Sequence, residues 1–359
     1  MKKIVGIIAA ALMTTAVFAA DVSTMIHGWT NLLSMDLATD GAKPEFLGIR
    51  DPFDRKFRWY STGIGFSVTA DKCGASFELD TQRPHLGKND DGTLNPDGWN
   101  WIVDRVVTVE NVKAYVQPTD AVKITVGAIG LQSNTETIDY TKLRAFEDKE
   151  GWAIDLTPVD GLTINTMLVT GAPRGWGWAF YGKDGKIGET AAKIGYSADF
   201  GSVFALVDYA DPVTDISAGY SGNFDGLGIF ADVAYTMADN ANSLGVDLFV
   251  DGHADAFGYK VYVKFERGLD TEVNQLCAKF RGSFALDFGT AYLRVVSVNA
   301  LADEFPIQVQ PGLEFNIGAA SLDVGFQFNM NSDFDSTNFG NYAAGAKAIN
   351  MPLIYRVVF

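Results

Sequence analysis

The sequence Asn-Met-Pro-Leu-Ile-Tyr-Arg-Val-Val-Phe, residues 350–359, decides the fold that we expect for this chain. Every second residue of the segment is apolar: Met351, Leu353, Tyr355, Val357 and Phe359. Successive side chains of a β-strand point to opposite faces, so the segment predicts a strand with one apolar face and one mixed face. An aromatic last residue without a polar tail is unusual for a water-soluble protein. An ordinary edge strand is the alternative interpretation.

The same alternation recurs along the chain, and no sustained helical period accompanies it. It is clearest over residues 259–266, where four apolar residues interleave with Lys260, Tyr262, Lys264 and Glu266. Further strands are predicted over 22–37, 75–81, 105–117, 162–170, 227–235, 243–251, 307–317 and 322–329. We therefore expect an all-β chain.

Short connections alternate with long ones between these strands. Segments rich in Gly, Pro and Asp predict tight turns at 70–73, 118–120, 158–160, 199–202, 224–226, 256–258, 287–290 and 318–320. Longer polar loops are predicted at 39–55, 83–104, 131–150, 171–189 and 331–347, with brief loops near Asp211, Ala238, Gly268 and Ala302. Hairpins of this kind predict an antiparallel up-and-down β-barrel of about 18 strands, with 16 as the alternative.

The amino terminus has the features of a cleaved secretory signal. Lys2 and Lys3 precede an apolar run over residues 4–18, and the small residues Ala19 and Ala20 follow it. The run is shorter than the roughly 20 apolar residues that a membrane-spanning helix needs. We expect residues 1–20 to be removed and residues 21–359 to form a single barrel domain.

Signal, hairpin rhythm and closing strand with Phe359 together resemble the bacterial outer-membrane porins, although no porin sequence motif is matched end to end. The resemblance implies a transmembrane barrel in the outer membrane, with short periplasmic turns and long extracellular loops. It also implies recognition of Asn350 to Phe359 by the barrel-assembly machinery, contact with outer-membrane lipid, and a homotrimer. A soluble β-sandwich would alternate as well, but a spanning sheet must close, because no open edge survives in lipid.

A barrel of this size leaves an aqueous channel, so we expect passive diffusion of small hydrophilic solutes and ions. Basic residues predicted to line the pore are Lys260, Lys264, Lys279, Arg281, Arg294 and Arg356. Acidic ones are Glu78, Asp80, Asp208, Asp232, Asp247, Glu314 and Asp323. Opposed walls of opposite charge would create a transverse field, and the excess of acids predicts a weak cation preference. Ordinary solvated charges far from any constriction are the alternative.

The resemblance further implies that the third outside loop, residues 131–150, folds inward and narrows the channel. Its candidate constriction residues are Glu136, Asp139, Arg144, Glu147 and Asp148. Two other loops carry aromatic residues that would stack on sugar rings: Trp99, Trp101, Trp176, Trp178 and Tyr181. These aromatic residues leave an oligosaccharide-guiding channel open as an alternative, and the long loops leave open a surface adhesin or antigen displayed on a barrel.

Enzymatic, metal-binding and nucleic-acid-binding functions find little support in the sequence. The net charge of −16 does not suit a phosphate backbone. His27, His85 and His253 form no metal-ligand pair, and no G-x-S-x-G motif is present, so we expect no enzyme, no bound metal and no cofactor. Clustered oxygens in 83–104 lack the spacing of an EF-hand calcium loop. Cys73 and Cys277 are expected to be free thiols.

Overall fold

The computed structural model describes residues 21–33, 36–38, 60–82, 87–88, 94–95, 106–135, 138, 142–169, 189–210, 212–297, 299–302, 306–318, 320–325, 327–330, 348–350 and 353–358. Residues 1–20, the predicted signal, lie outside the described part of the chain.

The described chain is built of β-strands, as the alternation predicts. The large sheet contains 21 segments, and three of them continue a neighbouring segment after a short interruption, which leaves 18 strands. They are β1 (Asp21–Leu33, continued by Asp36–Ala38), β2 (Tyr60–Ala70), β3 (Cys73–Gln82), β4 (Val106–Thr119), β5 (Val122–Thr135), β6 (Lys142–Val159), β7 (Leu162–Val169), β8 (Glu189–Ala198), β9 (Gly201–Ala210), β10 (Val213–Phe224), β11 (Leu227–Met237), β12 (Ser243–Ala254), β13 (Phe257–Gly268), β14 (Asn274–Leu286), β15 (Gly289–Ser297), β16 (Ile307–Ile317), β17 (Ala320–Gly325, continued by Gln327–Met330) and β18 (Leu353–Val358, preceded by Ala348–Asn350). A separate two-stranded hairpin joins Gly87–Lys88 to Leu94–Asn95.

Each strand pairs antiparallel with the next one in sequence, and the pairing returns to its start. β1 pairs with β2 on one side and with β18 on the other, where Trp29 lies opposite Arg356. β17 pairs with β18, so that Leu322 lies opposite Tyr355. The last described strand therefore pairs with strands at both ends of an up-and-down sheet, and the predicted antiparallel up-and-down order is confirmed.

Burial alternates along the strands and distinguishes the two faces. On β11, Phe230, Asp232 and Ala234 are buried, whereas the alternate residues Val233 and Tyr235 are exposed. A single sheet that closes on itself encloses only one side, so the buried side chains lie on the inner face. The outer face is consequently an almost unbroken apolar surface, and the inner face carries most of the charged residues.

Exposed aromatic side chains lie on the outer surface at two levels. Phe200, Phe224, Phe257, Phe284 and Phe288 lie at the short-turn end, and Tyr209, Tyr235, Phe265 and Phe328 lie at the other end. Phe257 and Phe265 are eight residues apart on β13. At about 3.3 Å per residue and a strand tilt of about 40°, the two levels are roughly 20 Å apart, close to the apolar band of about 25 Å on outer-membrane barrels.

The short turns have the backbone geometry that two-residue hairpins require. Asp225 and Gly226 join β10 to β11 with φ values of 52° and 86°. Positive φ at both central positions favours Asp-Gly, because glycine adopts this conformation without steric cost. All eight predicted turns lie between consecutive strands, although three are displaced by one or two residues, to 120–121, 160–161 and 255–256.

One predicted loop is wrong in extent. β5 runs to Thr135 and β6 begins at Lys142, so most of the predicted loop 131–150 is paired strand, with Leu131 opposite Phe146. Alternation is weak where charged residues crowd the sequence, and cross-strand pairing extends the hairpin beyond what the local pattern indicates. Of the candidate constriction residues, Arg144, Glu147 and Asp148 therefore lie in β6 instead of a loop.

Within the described residues, no helix is both long and apolar enough to cross a membrane.

Candidate functional site: the inner wall

Acidic and basic side chains occupy different sectors of the inner wall. Asp208 on β9, Asp215 on β10, and Asp232 and Asp247 on β11 and β12 form the acidic sector. The basic sector covers β13 to β15 and comprises Lys260, Lys264, Lys279, Arg281 and Arg294. The two sectors are adjacent, because Asp247 and Asp251 on β12 are next to Lys260 and Lys264 on β13, where Lys264 also lies 2.8 Å from Glu266.

Strand register places opposite charges side by side at this boundary. Asp247 lies opposite Lys264, and Asp251 lies opposite Lys260. The Tyr262 hydroxyl donates a hydrogen bond of 2.7 Å to Asp247 Oδ1, and Lys279 Nζ lies 5.1 Å from the centroid of the Tyr262 ring. Asp247 is 1% exposed and Lys279 is 5% exposed, so both are held inside a packed part of the wall.

The basic sector contains a row of cations in direct register. Lys260 lies opposite Arg281, and Arg281 lies opposite Arg294. Adjacent like charges repel, and neighbouring acceptors offset this repulsion. Arg281 Nη2 lies 3.6 Å from Glu314 Oε2, and Arg294 Nη1 donates a 3.0 Å hydrogen bond to Gln310 Oε1. Lys264 and Arg281 keep 31% and 28% of their side chains exposed.

An apolar band also crosses the inner wall, in addition to the predicted charged residues. One buried cluster lies on β5 to β9 and contains Ile129, Leu131, Ala153, Met167, Val169, Ala191 and Leu206. A second lies on β11 to β15 and contains Phe230, Phe249, Tyr262 and Val296, with Phe204 packed against both clusters. The alternation of each strand already places these apolar residues on the inner face. The predicted pore lining, however, consists of charged residues only.

Ile138 belongs to the second cluster although it lies outside the strands. It sits between β5 and β6, is 4% exposed, and packs with Phe230, Phe249, Tyr262 and Val296. These four residues are on the inner faces of β11, β12, β13 and β15. Ile138 is thus in contact with the inner wall on another side of the barrel from β5 and β6.

A row of three serines lies on the described inner wall of β1 to β3. Ser23, Ser67 and Ser76 lie in direct register, and the Ser23 and Ser67 hydroxyl oxygens are 2.6 Å apart. A recess of about 260 Å³ is lined by these serines together with Met25, Gly65 and Glu78, as well as Phe66 and Phe77. Described inward positions on β1 to β4 are exposed or half-buried, in contrast to the buried ones on β11 to β15.

The predicted pore-lining residues fall at inward register positions wherever their side chains are described. Glu78, Asp208, Lys260, Lys264, Arg281, Glu314 and Asp323 are half-buried, and Asp232, Asp247, Lys279 and Arg294 are buried. Asp80 and Arg356 lie in β3 and β18, but their side chains are outside the described set, as are Glu136 and Asp139. The aromatic candidates Trp99, Trp101, Trp176, Trp178 and Tyr181 also lie outside the described residues.

Neither a metal site nor a disulfide emerges from the described residues. No group of three or more His, Cys, Asp or Glu residues among them is placed to hold a metal ion. Cys73 is exposed at the start of β3, Cys277 is half-buried on β14, and neither cysteine is in a disulfide. His253 is exposed near the turn end of β12.

No protein-family model matches the sequence, and no curated protein matches it significantly. Solved structures do match the fold. OpdK of Pseudomonas aeruginosa, solved with vanillate, aligns with a TM-score of 0.58 at 10% identity, over 94% of this chain and 98% of OpdK. A BenF-like porin of Pseudomonas fluorescens aligns with a TM-score of 0.57 at 9% identity, over 95% of this chain and 99% of the porin.

OccAB4 of Acinetobacter baumannii gives a TM-score of 0.59 at 9% identity, over 95% of this chain and 98% of OccAB4. OpdK is an outer membrane protein. At such low identity the likeness concerns architecture, and it extends over nearly the whole of each chain. The chain therefore has the fold of these outer-membrane porin barrels.

Proposed function

We propose that this protein is an outer-membrane porin, a water-filled channel for passive diffusion of small hydrophilic solutes and ions. The observation that carries the proposal is the segregation of side chains in a ring of paired strands. Exposed residues of the outer face, such as Val233, Val246 and Leu248, are apolar. The inner face holds the acidic and basic sectors. Lipid suits the first surface and water suits the second, and the pairing leaves no open edge between them.

Export and assembly belong to the same proposal. Residues 1–20 would direct export, and the barrel-assembly machinery would recognise the strand that ends at Phe359. Trimer formation follows the resemblance to porins, and no enzymatic step is included. Chemical cross-linking in intact membranes measures the oligomer, and removal of Phe359 tests whether assembly depends on it.

The constriction is proposed to involve the connection between β5 and β6. Ile138 supports this, because it packs on the inner faces of β11 to β15 while its own strands lie on another side of the barrel. An apolar contact of this kind would hold the chain at Ile138 against the inner wall. Water and solutes would then pass along the less buried wall of β1 to β4.

Selectivity is proposed to follow the two charged sectors. Asp247 and Lys264 face each other across adjacent strands, so the field changes sign within one strand spacing of about 4.8 Å. Inward acids on β9 to β12 and at Glu314 and Asp323 exceed the inward bases on β13 to β15, which favours a weak preference for cations.

The decisive experiment reconstitutes the purified protein in a planar bilayer and records conductance steps and the reversal potential in a salt gradient. Discrete steps with a weak cation preference are expected, and three-step closures would report a trimer. Protein that inserts as a folded barrel and carries no current would refute the porin proposal. A strong anion preference would contradict only the proposed selectivity.

A second candidate is a channel that favours small organic carboxylates. The row of Lys260, Arg281 and Arg294 favours it, since cations in register offer repeated contacts to one anion that moves along the wall. The OpdK structure contains vanillate, an aromatic carboxylate. Block of the ion current by millimolar vanillate would support this candidate, and equal block by its uncharged alcohol would count against it.

A further inference from the structure

Tyr292 lies flat against the inner wall across two neighbouring strands. It is opposite Gly312 on β16, and Gly312 is opposite Gly325 on β17. A Cβ atom at Gly312 would collide with the ring and hydroxyl of Tyr292, and one at Gly325 would lie 3.3 Å from the hydroxyl oxygen. Two glycines in one row therefore leave a notch that the tyrosine side chain fills.

The hydroxyl of Tyr292 reaches charged and polar groups on those strands. It donates a 2.6 Å hydrogen bond to Asp323 Oδ1 on β17, and it accepts a 3.3 Å hydrogen bond from Gln310 Nε2 on β16. Gln310 in turn accepts the bond from Arg294 described above. Tyr292 is 8% exposed and Gln310 is 4% exposed, so this network is covered and its members are fixed in position.

The ring of Tyr292 also carries a cation. The guanidinium carbon of Arg281 lies 5.1 Å from the ring centroid, within the range of a cation–π contact. The order from wall to lumen is therefore glycine backbone, tyrosine ring and guanidinium. Arg281 keeps 28% of its side chain exposed, whereas the ring beneath it is covered.

We propose that Tyr292 is a specificity-determining residue, which separates Arg281 from Asp323 and so keeps a cation at the lumen surface above a carboxylate bound to the wall. This inference rests on the proposed channel function. The ring keeps the two charges from meeting, and the hydroxyl occupies one carboxylate oxygen. Without the tyrosine, the notch is free for Arg281, which lies 3.6 Å from Glu314, to approach Asp323 as well, so that the cation moves from the lumen surface to the wall.

The expected effect follows from the charge that the lumen would lose. In water, a unit charge about 7 Å away changes the local concentration of a monovalent ion about threefold. Loss of that positive charge would raise the local cation concentration and lower the local anion concentration by this factor each, so Tyr292→Leu should raise the cation-to-anion permeability ratio by up to about ninefold. Tyr292→Phe keeps the ring and removes the hydroxyl, so its shift should have the same direction and a smaller size.

The experiment measures reversal potentials of wild type, Tyr292→Phe and Tyr292→Leu in planar bilayers. Tyr259→Phe is the matched control, because Tyr259 is a tyrosine on the outer face of β13 that stacks on Phe257. Heat-modifiable gel mobility confirms that each variant forms a folded barrel. Tyr292→Phe loses one oxygen atom only, and it keeps the test available if Tyr292→Leu does not assemble.

A double-mutant cycle with Asp323→Asn decides whether Tyr292 acts through that carboxylate. The shift caused by Tyr292→Leu should largely disappear in the Asp323→Asn background. Reversal potentials of the Tyr292 variants equal to that of Tyr259→Phe would overturn the inference, and so would a shift of undiminished size in the Asp323→Asn background. A wild-type protein that folds and does not conduct would refute the channel function itself. Variants that conduct with the same ion preference as Tyr259→Phe would refute only the role of Tyr292.

Discussion

Replacement of Ile138 by alanine should weaken the apolar contact that fixes this residue on the inner wall. Ile138 is 4% exposed and lies among Phe230, Phe249, Tyr262 and Val296. Truncation of a buried isoleucine to alanine costs about 2–5 kcal/mol, from lost transfer free energy and from the cavity that remains. A loss of about 3 kcal/mol changes the equilibrium between attached and detached states by roughly 100-fold.

Single-channel recording measures this change directly. The Ile138→Ala channel should show a larger conductance and more open-channel noise, because its lumen is obstructed for a smaller fraction of the time. Ile154→Ala is the matched control, since Ile154 is on the outer face of β6 and 40% exposed. Its conductance should equal that of wild type.

The outcome that refutes this reasoning is also specific. Identical conductance and noise in Ile138→Ala, Ile154→Ala and wild type would show that the apolar contact does not control the passage. A second variant, Ile138→Asp, strengthens the test, because a charge at this position cannot stay in the apolar cluster without a large desolvation cost. It should give the largest conductance of the set.

Three further predictions concern charge and lipid contact. Asp247→Asn removes an acid from the boundary with Lys264 and should lower the cation-to-anion permeability ratio; an unchanged reversal potential would place Asp247 away from the ion path. The ion preference of wild type should fall when the salt concentration rises from 0.1 M to 1 M, because the Debye length shortens from about 10 Å to about 3 Å, and a preference that persists would indicate a steric origin. Val233→Arg, a substitution on the exposed outer face, should lower the free energy of unfolding in lipid vesicles by about 2–4 kcal/mol. Val273→Arg in the short connection after β13 is its control, and equal losses in both variants would argue against lipid contact at Val233.

The fold was accessible from the sequence because its signals are local. Strict alternation, as in residues 259–266, assigns each side chain to one of two faces, and Gly, Pro and Asp mark where the strands reverse. The same two-residue period predicts that residues such as Asp232, Lys264 and Arg281 lie on the inner face. The hairpin of β5 and β6 escaped prediction because cross-strand pairing, and not local pattern, extends it to Thr135 and Lys142.

The sequence by itself determined which residues share a face, how many hairpins there are, and that charges and apolar residues separate. Only the tertiary structure decided which inward residues meet. Register between strands sets Arg281 against Arg294, lays Tyr292 over Gly312 on the way to Asp323, and brings Ile138 to Phe230 and Phe249. These contacts join residues far apart in sequence, and their positions depend on ring closure and on the stagger of every pair of strands. Local periodicity carries no information about either.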